Sequence, residues 1–600
     1  MDRRDLCRAA LVLPLASALP VSAGAASGLT RVRPGDAAWP SVALWQKLGE
    51  TLKGRLIKLE TLFAPCQRSA VSAACLELGK YLSNPFFLGD QVSATQVSGW
   101  FNAWKNEPSA YAIQANTHDD VAAGVRFARE HKLRLVVKGT GHSYQGTSSS
   151  QDSLLIWTRS MNRVEIIDKF VPQGCAGTVS AVPAVSAGAG AVWSDLYHAV
   201  TTKAGRYVQG GGCTDVGVAG LVQSGGFGSF SKGFGLTAAG LLEAEVVCFD
   251  GQLRVANACT NPELFWALKG GGGGSWGVVT KVVLRTHDLP KYFGYVGGKI
   301  RAKSDSAFAT LVTRVMDFYA DQLFNPHWGE QISLGTDRSL KLSLCSQGLS
   351  NEQVMAVWKP FFEFVRAVPD HYEEVEKLHA GAWDAQPWWD IAWNPSLRPD
   401  QRAGAPAYHA WWEGDQDQVG MTIYGYDSLW LPSRLLAKDQ RKTLIDTLIA
   451  ASDKHSVGLH FNKGLAGAPK EVIEQARQCA TNPAVLDAFA LVIIASGGKP
   501  SYAGLERSVL SKARSFIEAE VETRRIDRAM ALLRQLAPNG GSYVSESNYF
   551  NDNWQREFWG ANYARLQSVK QLVDPEGLFF VRHGVGSEAW SEDGFTPQKA

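Results

Sequence analysis

Residues 133–146 read Leu133-Arg-Leu-Val-Val-Lys138-Gly-Thr-Gly-His142-Ser-Tyr-Gln-Gly146. A short apolar strand, Leu133 to Val137, runs directly into a polar, glycine-rich loop from Lys138 to Gly146. Upstream, Thr117-His-Asp-Asp120 has the form of a capping box, and Val121, Val125 and Ala128 share one face of the helix it starts, which ends near His131. Helix, strand and glycine loop in close order give the loop a rigid base. Its consecutive N–H groups can form a nest for an anion such as a pyrophosphate, with Gly139 and Gly141 permitting positive φ and close approach of a ligand.

Two further glycine clusters lie downstream. Gly210-Gly-Gly212-Cys213-Thr-Asp-Val-Gly217-Val218-Ala-Gly220 sets one cysteine in a bed of backbone, and Gly270 to Gly274 is an unbroken run of five. Together the three make sense as walls around one flat, phosphate-bearing ligand. Taken singly, each is equally a flexible loop, His142 a solvated histidine and Cys213 an inert buried thiol. A nicotinamide site of Rossmann type is disfavoured, because Gly188-Ala-Gly190-Ala-Val-Trp193 has tryptophan where the third glycine would allow close helix packing. No cluster ends in Gly-Lys-Ser/Thr, so there is no P-loop.

Further elements follow from local signals. Glu245 to Phe249, the turn Asp250-Gly251, and Gln252 to Ala256 form a hairpin. Asn261-Pro262 starts a helix through Leu268, with proline at its first position. Val278 to Leu284 is a strand, so residues 117–287 are mixed α+β. Between 291 and 540 the helical patterns lengthen, and six of the 20 tryptophans lie from Trp383 to Trp412, where they either stack on a sugar or aromatic substrate or pack the core. His460 and Asn462 alternate on an apparent strand and therefore share a face. Near the start, Leu44, Leu48, Leu52, Leu56 and Leu59 with Ser41 as N-cap predict a helix to about Leu62.

The net charge of +2 and a hydrophobic fraction of 45% describe a globular chain without the basic excess that a nucleic-acid partner requires. No segment is long and apolar enough to anchor it in a membrane. Residues 1–25 have the order of an export signal: Arg3-Arg4, an apolar run from Ala9 to Leu19, then Ala23-Gly-Ala25. The arginine pair has the form of a twin-arginine signal, which exports proteins folded around a cofactor, to a periplasmic or secreted destination; an ordinary secretory signal is the alternative. Eight cysteines remain after Cys7, none in a CxxC pair, so no metal site is expected. Cys66 and Cys75 are either a short local disulfide or two buried thiols.

The blocks Lys138-Gly-Thr-Gly-His142-Ser, Gly-Gly-Cys213-Thr-Asp-Val-Gly, Phe265-Trp-Ala-Leu-Lys-Gly-Gly-Gly-Gly-Gly-Ser-Trp-Gly277 and the tail from Tyr543 to Trp590 resemble, in order and spacing, the berberine-bridge-enzyme-like flavoproteins of the vanillyl-alcohol-oxidase superfamily. The tail, with Trp554-Gln, Phe558-Trp-Gly560, Asn562-Tyr563, Asp574-Pro575 and Val585-Gly-Ser-Glu-Ala-Trp590, is similar to the fungal branch. The resemblance covers most of residues 60–290 and 540–590 and is weak between them. It implies an α+β fold with a PCMH-type FAD-binding domain of two subdomains and a substrate domain whose antiparallel sheet is covered by helices. The segments are then a signal (1–25), a helical extension (26–105), the FAD domain (106–290), the substrate domain (291–540) and a C-terminal segment (541–600) completing the FAD domain.

The resemblance further implies FAD held covalently by His142 at the 8α carbon and by Cys213 at carbon 6, with a neutral imidazole and a thiolate as the attacking nucleophiles. Lys138, Gly139, Thr140, Gly141, Ser143, Gly212, Gly217, Val218, Gly220, Gly225, Val279 and Asn562 would line the cofactor. The implied reaction is oxidation of a small-molecule alcohol, sugar or related CH–OH or CH–NH donor, with hydride passing to the flavin and molecular oxygen as final acceptor. The oxygen reading rests on Val218, the residue after the Gly of the Val-Gly stretch, where a smaller side chain leaves oxygen room. A dehydrogenase with another acceptor, or a sugar-binding protein without turnover, are the rival readings. Tyr543 is the implied base, although Tyr543-Val-Ser545 departs from the usual Tyr-x-Asn. A phenol with a pKa near 10 then needs a nearby cation or hydrogen bonds to lower it. Asp487, after Asn482-Pro483, is the second candidate.

Overall fold

The structure is a computed structural model that describes residues 30–505 and 507–598. The export signal read at residues 1–25 lies outside them. Three sheets organise the chain. The first orders Arg55–Lys58, Tyr111–Gln114, Leu154–Trp157 and Leu135–Lys138, with both pairs that involve Leu154–Trp157 parallel. The helix His118–Glu130 covers it through Val121, Val125 and Ala128, and the expected capping box is formed: Asp120 N–H donates to Thr117 Oγ1 at 3.4 Å and Thr117 N–H to Asp120 Oδ2 at 3.0 Å.

The second sheet is antiparallel throughout, in the order Leu253–Asn257, Leu241–Val247, Val278–Arg285, Val182–Gly188, Val164–Phe170. It contains the expected Asp250-Gly251 hairpin. The helix Pro262–Leu268 and the C-terminal helices Trp554–Trp559 and Tyr563–Val573 pack into its core. Phe579 then bridges to Leu135 of the first sheet, so the tail returns to complete the unit that the glycine loops begin.

The third sheet has nine strands, running from Tyr372–Asp384 at one edge through Tyr292–Ala302, Ser339–Gln347, Trp328–Leu334, Val457–His460, Ala488–Gly498 and Thr422–Pro432 to Gly99–Trp100 and Trp104–Lys105. The helices Asp305–Phe318, Asn351–Arg366, Lys438–Ser452 and Val509–Leu536 share one buried core with it. Alternation along the strands explains the two faces. Leu340, Leu342 and Leu344 enter the helix-side core, while Lys341, Ser343 and Cys345 line a cavity between this sheet and the glycine clusters.

The N-terminal region departs from the sequence expectation. The helix is Val42–Thr51, capped by Ser41, and the leucine spacing does not carry it to Leu62. At Gly54 the chain passes against the Gln114 carbonyl where a Cβ would not fit, and Leu56 lies instead in the strand Arg55–Lys58, opposite Ile113. This region is not a separate helical extension, because it gives one strand to the first sheet and two to the third. Cys66 and Cys75 are disulfide-bonded, Cα–Cα 4.7 Å, and a second bond joins Cys175 to Cys259, 84 residues away, which nothing local in the sequence signals.

Candidate active site

Residues from all three glycine clusters, the third sheet and the tail line a single cavity of about 1390 Å³. That exceeds the few hundred to about 1,000 Å³ usual for one small ligand and suits a dinucleotide together with a substrate. The first cluster supplies Gly139, Thr140, Gly141, His142 and Ser143. Gly141 has φ +82°, a conformation strained for any side chain, and its missing Cβ would lie 3.2 Å from Thr95 Cα. Thr140 Oγ1 accepts the N–H of Gly217 at 3.1 Å and so ties the first cluster to the second. Gly210 lies flat on the buried Trp193 ring, which explains the tryptophan in the failed Rossmann pattern: it floors the second cluster.

His142 and Cys213 both line the cavity. The His142 Nε2 is hydrogen-bonded to Asp215 Oδ2, whose side chain is buried. Cys213 is a free thiol. Burial, then the Asp415 and Asp215 carboxylates, hold that thiol well above its ordinary range, a direction opposed to the expected thiolate. Asp415 adjoins it, pushed up to about 6 by burial and by the Asp215 charge. Trp412, on the same tryptophan-rich segment, donates from Nε1 to the Gly212 carbonyl at 3.0 Å. Five of the six clustered tryptophans line the cavity, Trp411 being the exception, and Trp389 stacks on Tyr197 at 4.0 Å.

Several expected site residues stand elsewhere. Lys138 does not reach the cavity. Its Nζ is buried and donates to the carbonyls of Gln91 (2.9 Å), Val92 (2.6 Å) and Ala94 (2.8 Å). Burial draws it down to about 7, but three carbonyl acceptors need three N–H donors, which only the ammonium offers. Val218 is fully buried beside the same core as Trp193 and is not in the cavity wall, although its neighbours Gly217 and Ala219 are. Gly225 and Asn562 also lie outside the lining and both position Thr481, Gly225 by turning against its side chain at φ +98° and Asn562 by donating Nδ2 to its carbonyl at 2.9 Å. Asp487 is exposed and accepts a hydrogen bond from Ser433 Oγ at 2.6 Å, away from the cavity. Gly212, Gly217, Gly220 and Val279 are in the lining.

Tyr543 does face the cavity, edge-on to Phe227, with its hydroxyl buried and without a hydrogen-bond partner. Burial and then the Glu546 carboxylate push the phenol up from its ordinary value. Lys463, a cation in the same cavity wall, is bound to both oxygens of Glu546 at 2.6 Å. Ser545, in place of the usual Asn, lines the cavity beside Tyr543, and together with the Gly226 backbone opposes the rise of the phenol only in part. His460 and Asn462 also reach the cavity, and burial with Lys463 holds His460 neutral.

Several lining carboxylates escaped the sequence, Glu413, Asp415 and Glu546 among them, and Glu330 is the least expected. Glu330 lies in the strand Trp328–Leu334, whose alternation assigns it to the same face as Trp328 and Ile332 in the helix-side core. Its backbone is left-handed, φ +65°, and it lines the cavity with Gln331 and Ser333. No local signal in the sequence marks such a turn at a glutamate.

The glycine-lined walls, the unpartnered polar atoms at Tyr543 Oη, Gln223 Oε1, Arg582 Nε and His583 Nδ1, and the facing His142 and Cys213 fit a large, flat cofactor bearing phosphates. Comparison with known proteins agrees. Residues 109–257 match the FAD-binding domain family, and residues 536–586 the berberine and berberine-like family. The chain is 30% identical over 595 residues, 95% of its length and 94% of the relative's, to the FAD-linked oxidoreductase malF of Malbranchea aurantiaca. It is 28% identical to the VAO-type flavoprotein oxidase VAO615 of Thermothelomyces thermophilus, over 95% and 97% of the two chains. The VAO-type flavoprotein MtVAO615 from Myceliophthora thermophila superposes with TM-score 0.75 at 25% identity, over 94% of this chain and 98% of that one. A glucooligosaccharide oxidase from Acremonium strictum, whose FAD is described as 6-S-cysteinyl and 8α-N1-histidyl, shares the fold at TM-score 0.60 and 17% identity, over 86% and 98% of the two chains. This chain belongs to the FAD-linked oxidoreductases that carry a berberine-like C-terminal segment.

Proposed function

We propose that this oxidoreductase holds FAD through two covalent bonds, at His142 and Cys213, and oxidises an alcohol, carbohydrate or related CH–OH or CH–NH donor, with molecular oxygen as the final acceptor. The observation that carries this reading is the placing of His142 and Cys213, from separate glycine clusters, on the wall of one cavity large enough for the cofactor and a substrate. When bound, the flavin supplies a two-electron hydride acceptor. The protein's own part is to orient His142 through Asp215, to keep bulk away from the cofactor with bare glycine backbone, and to present Tyr543 as a neutral hydrogen-bond donor to the substrate. The aromatic wall at Trp383, Trp388 and Trp393 offers flat apolar surface on which a sugar face or aromatic ring can lie.

The test is colour followed by reduction. A covalent flavoprotein leaves a yellow pellet after acid precipitation, whereas a sugar-binding protein without cofactor is colourless. Anaerobic screening of cellobiose, benzyl alcohol and cyclic amines for flavin bleaching then finds the donor class whatever the acceptor. Export belongs to the same reading, because two disulfides fit an oxidising compartment. Replacing Arg3 and Arg4 together by lysine should leave the flavin-loaded protein in the cytoplasm, and normal export of that variant would exclude the twin-arginine route.

A further inference from the structure

We infer that Glu330 is the catalytic proton acceptor of this cavity. The inference rests on the flavin-dependent reading above and assigns the step that Tyr543 is poorly placed to perform.

A strand residue with φ +65° is strained by roughly 1–3 kcal/mol, and such strain persists only where the surroundings impose it. Here it changes which side of the sheet the carboxylate serves. Regular alternation would bury Glu330 among Trp328, Ile332 and Leu334, whereas the observed turn presents it to the cavity.

The Glu330 carboxylate is held at one oxygen only. Ser229 Oγ donates to Oε1 at 2.5 Å and Asn462 Nδ2 to the same oxygen at 3.4 Å. Among the described residues none donates a hydrogen bond to Oε2. One oxygen is therefore fixed and the other is free to take a proton, which is the arrangement a general base needs. Ser229 and Asn462 come from different parts of the chain, on the glycine side and the sheet side, so the carboxylate is gripped from both walls.

Glu330 Oε1 lies 3.9 Å from the point where a Cβ on Gly212 would sit, directly over the backbone that carries Cys213. Of the other lining carboxylates, Asp215 is held by His142, Glu546 by Lys463 and Glu413 by Arg398, while Asp415, beside the Cys213 thiol, keeps one buried oxygen without a partner and lacks the two-sided grip that fixes Glu330. Burial raises Glu330 from the ordinary carboxylate range, Ser229 and Lys463 oppose that, and the direction brings its basicity towards the operating pH.

In the step assigned, the substrate O–H or N–H proton passes to Glu330 Oε2. The electron pair left on oxygen or nitrogen forms the C=O or C=N bond, and the adjacent C–H leaves as hydride to the oxidised flavin. The donor loses two electrons, the flavin gains them, and the proton remains on the carboxyl until solvent removes it.

Two readouts test this on the purified holoenzyme, and the first needs no substrate. Sulfite adds reversibly to oxidised flavin as an anion, so an ionised carboxylate nearby weakens its binding. Glu330→Gln should bind sulfite at least about ten-fold more tightly at pH 8 than the parent, with the difference fading towards pH 4 as the parent's carboxyl protonates. Second, with the compound found by the bleaching screen, Glu330→Gln should slow flavin reduction by about 10²- to 10⁴-fold and remove the acidic limb of its pH profile. Glu330→Asp, which keeps the carboxyl, should recover part of the rate. Sulfite affinity equal to the parent at pH 8, or a reduction rate within a few-fold with the acidic limb intact, overturns the inference. A parent protein that carries no flavin would instead overturn the proposed function itself.

Discussion

The His142 imidazole is hydrogen-bonded through Nε2 to Asp215 Oδ2, a contact that joins the first glycine cluster to the second across 73 residues. An ionised carboxylate can only accept, so Nε2 carries the proton and Nδ1 is left with the lone pair. Asp215 is two residues after Cys213, so one short turn supplies both a candidate attachment sulfur and the group that sets the tautomer of the candidate attachment nitrogen.

From this we expect flavin on both residues of the parent protein, seen by peptide mass spectrometry, and a selective defect in Asp215→Asn. An amide can present N–H to Nε2 and so favour the wrong tautomer. Attachment at His142 should slow by roughly ten-fold or more, the scale on which such orienting partners act, while attachment at Cys213 continues. Equal loading of His142 in the variant would show that Asp215 only packs.

The carboxyl of Asp415 makes a pH-dependent contribution whose sign can be stated. Its folded value, about 6, lies above the ordinary 3.8, so the folded protein binds the proton more tightly than the unfolded chain. The associated stability is fully present below about pH 4 and is lost as pH rises through about 6. Asp415→Asn should therefore stabilise the protein relative to the parent at pH 8, by up to about 2–3 kcal/mol, with no such gain at pH 4. Paired thermal melts at the two pH values measure this, and a gain of equal size at both would mean that the charge is not the cause.

Legibility in the sequence followed range. The capping box at Thr117, the Asp250-Gly251 hairpin and the Asn261-Pro262 helix depend on neighbours within a few residues, and each stands where the local pattern put it. His142, Cys213 and the glycine walls were legible because glycine clusters mark close approach to the backbone. What failed depended on distant partners. The leucine spacing could not reveal that Leu56 would be claimed by a strand pairing with Ile113. The glycine loop that begins at Lys138 read as anion-binding as a whole, yet the carbonyls of Gln91, Val92 and Ala94 capture the lysine. Glu330 was hidden because strand periodicity assigns it to the core, and only the observed backbone turn contradicts that.

Tyr543 was expected to act as the base, with a 10²- to 10⁴-fold loss on substitution by phenylalanine. In the structure burial and the Glu546 carboxylate push the phenol up, and Lys463 is taken up by Glu546. Tyr543→Phe should therefore reduce flavin reduction by about ten-fold, the worth of one hydrogen bond of about 1 kcal/mol or slightly more, and leave the shape of the pH profile unchanged. A loss of a thousand-fold with a displaced pH profile would return the base role to Tyr543.

The last prediction concerns oxygen. Reduced enzyme mixed with air-saturated buffer should reoxidise rapidly and form hydrogen peroxide; reoxidation over minutes, with an artificial quinone reacting far faster, would make the protein a dehydrogenase. The sequence tied this behaviour to Val218 as a gate, with leucine closing it. In the structure Val218 opens the helix Val218–Gln223 with its side chain wholly buried among Trp193, Val222 and their neighbours, and the cavity wall is made by Gly217 and Ala219 on either side. A leucine there adds a methylene to a close-packed core rather than to an oxygen path. Val218→Leu should accordingly destabilise the protein by about 1–3 kcal/mol and leave the reoxidation rate within a few-fold of the parent. Ala219→Leu, which enlarges a side chain that does meet the cavity, should be the variant that slows oxygen. If Val218→Leu abolishes reoxidation with its melting temperature unchanged, the valine is the gate after all and the path to the flavin runs through that part of the core.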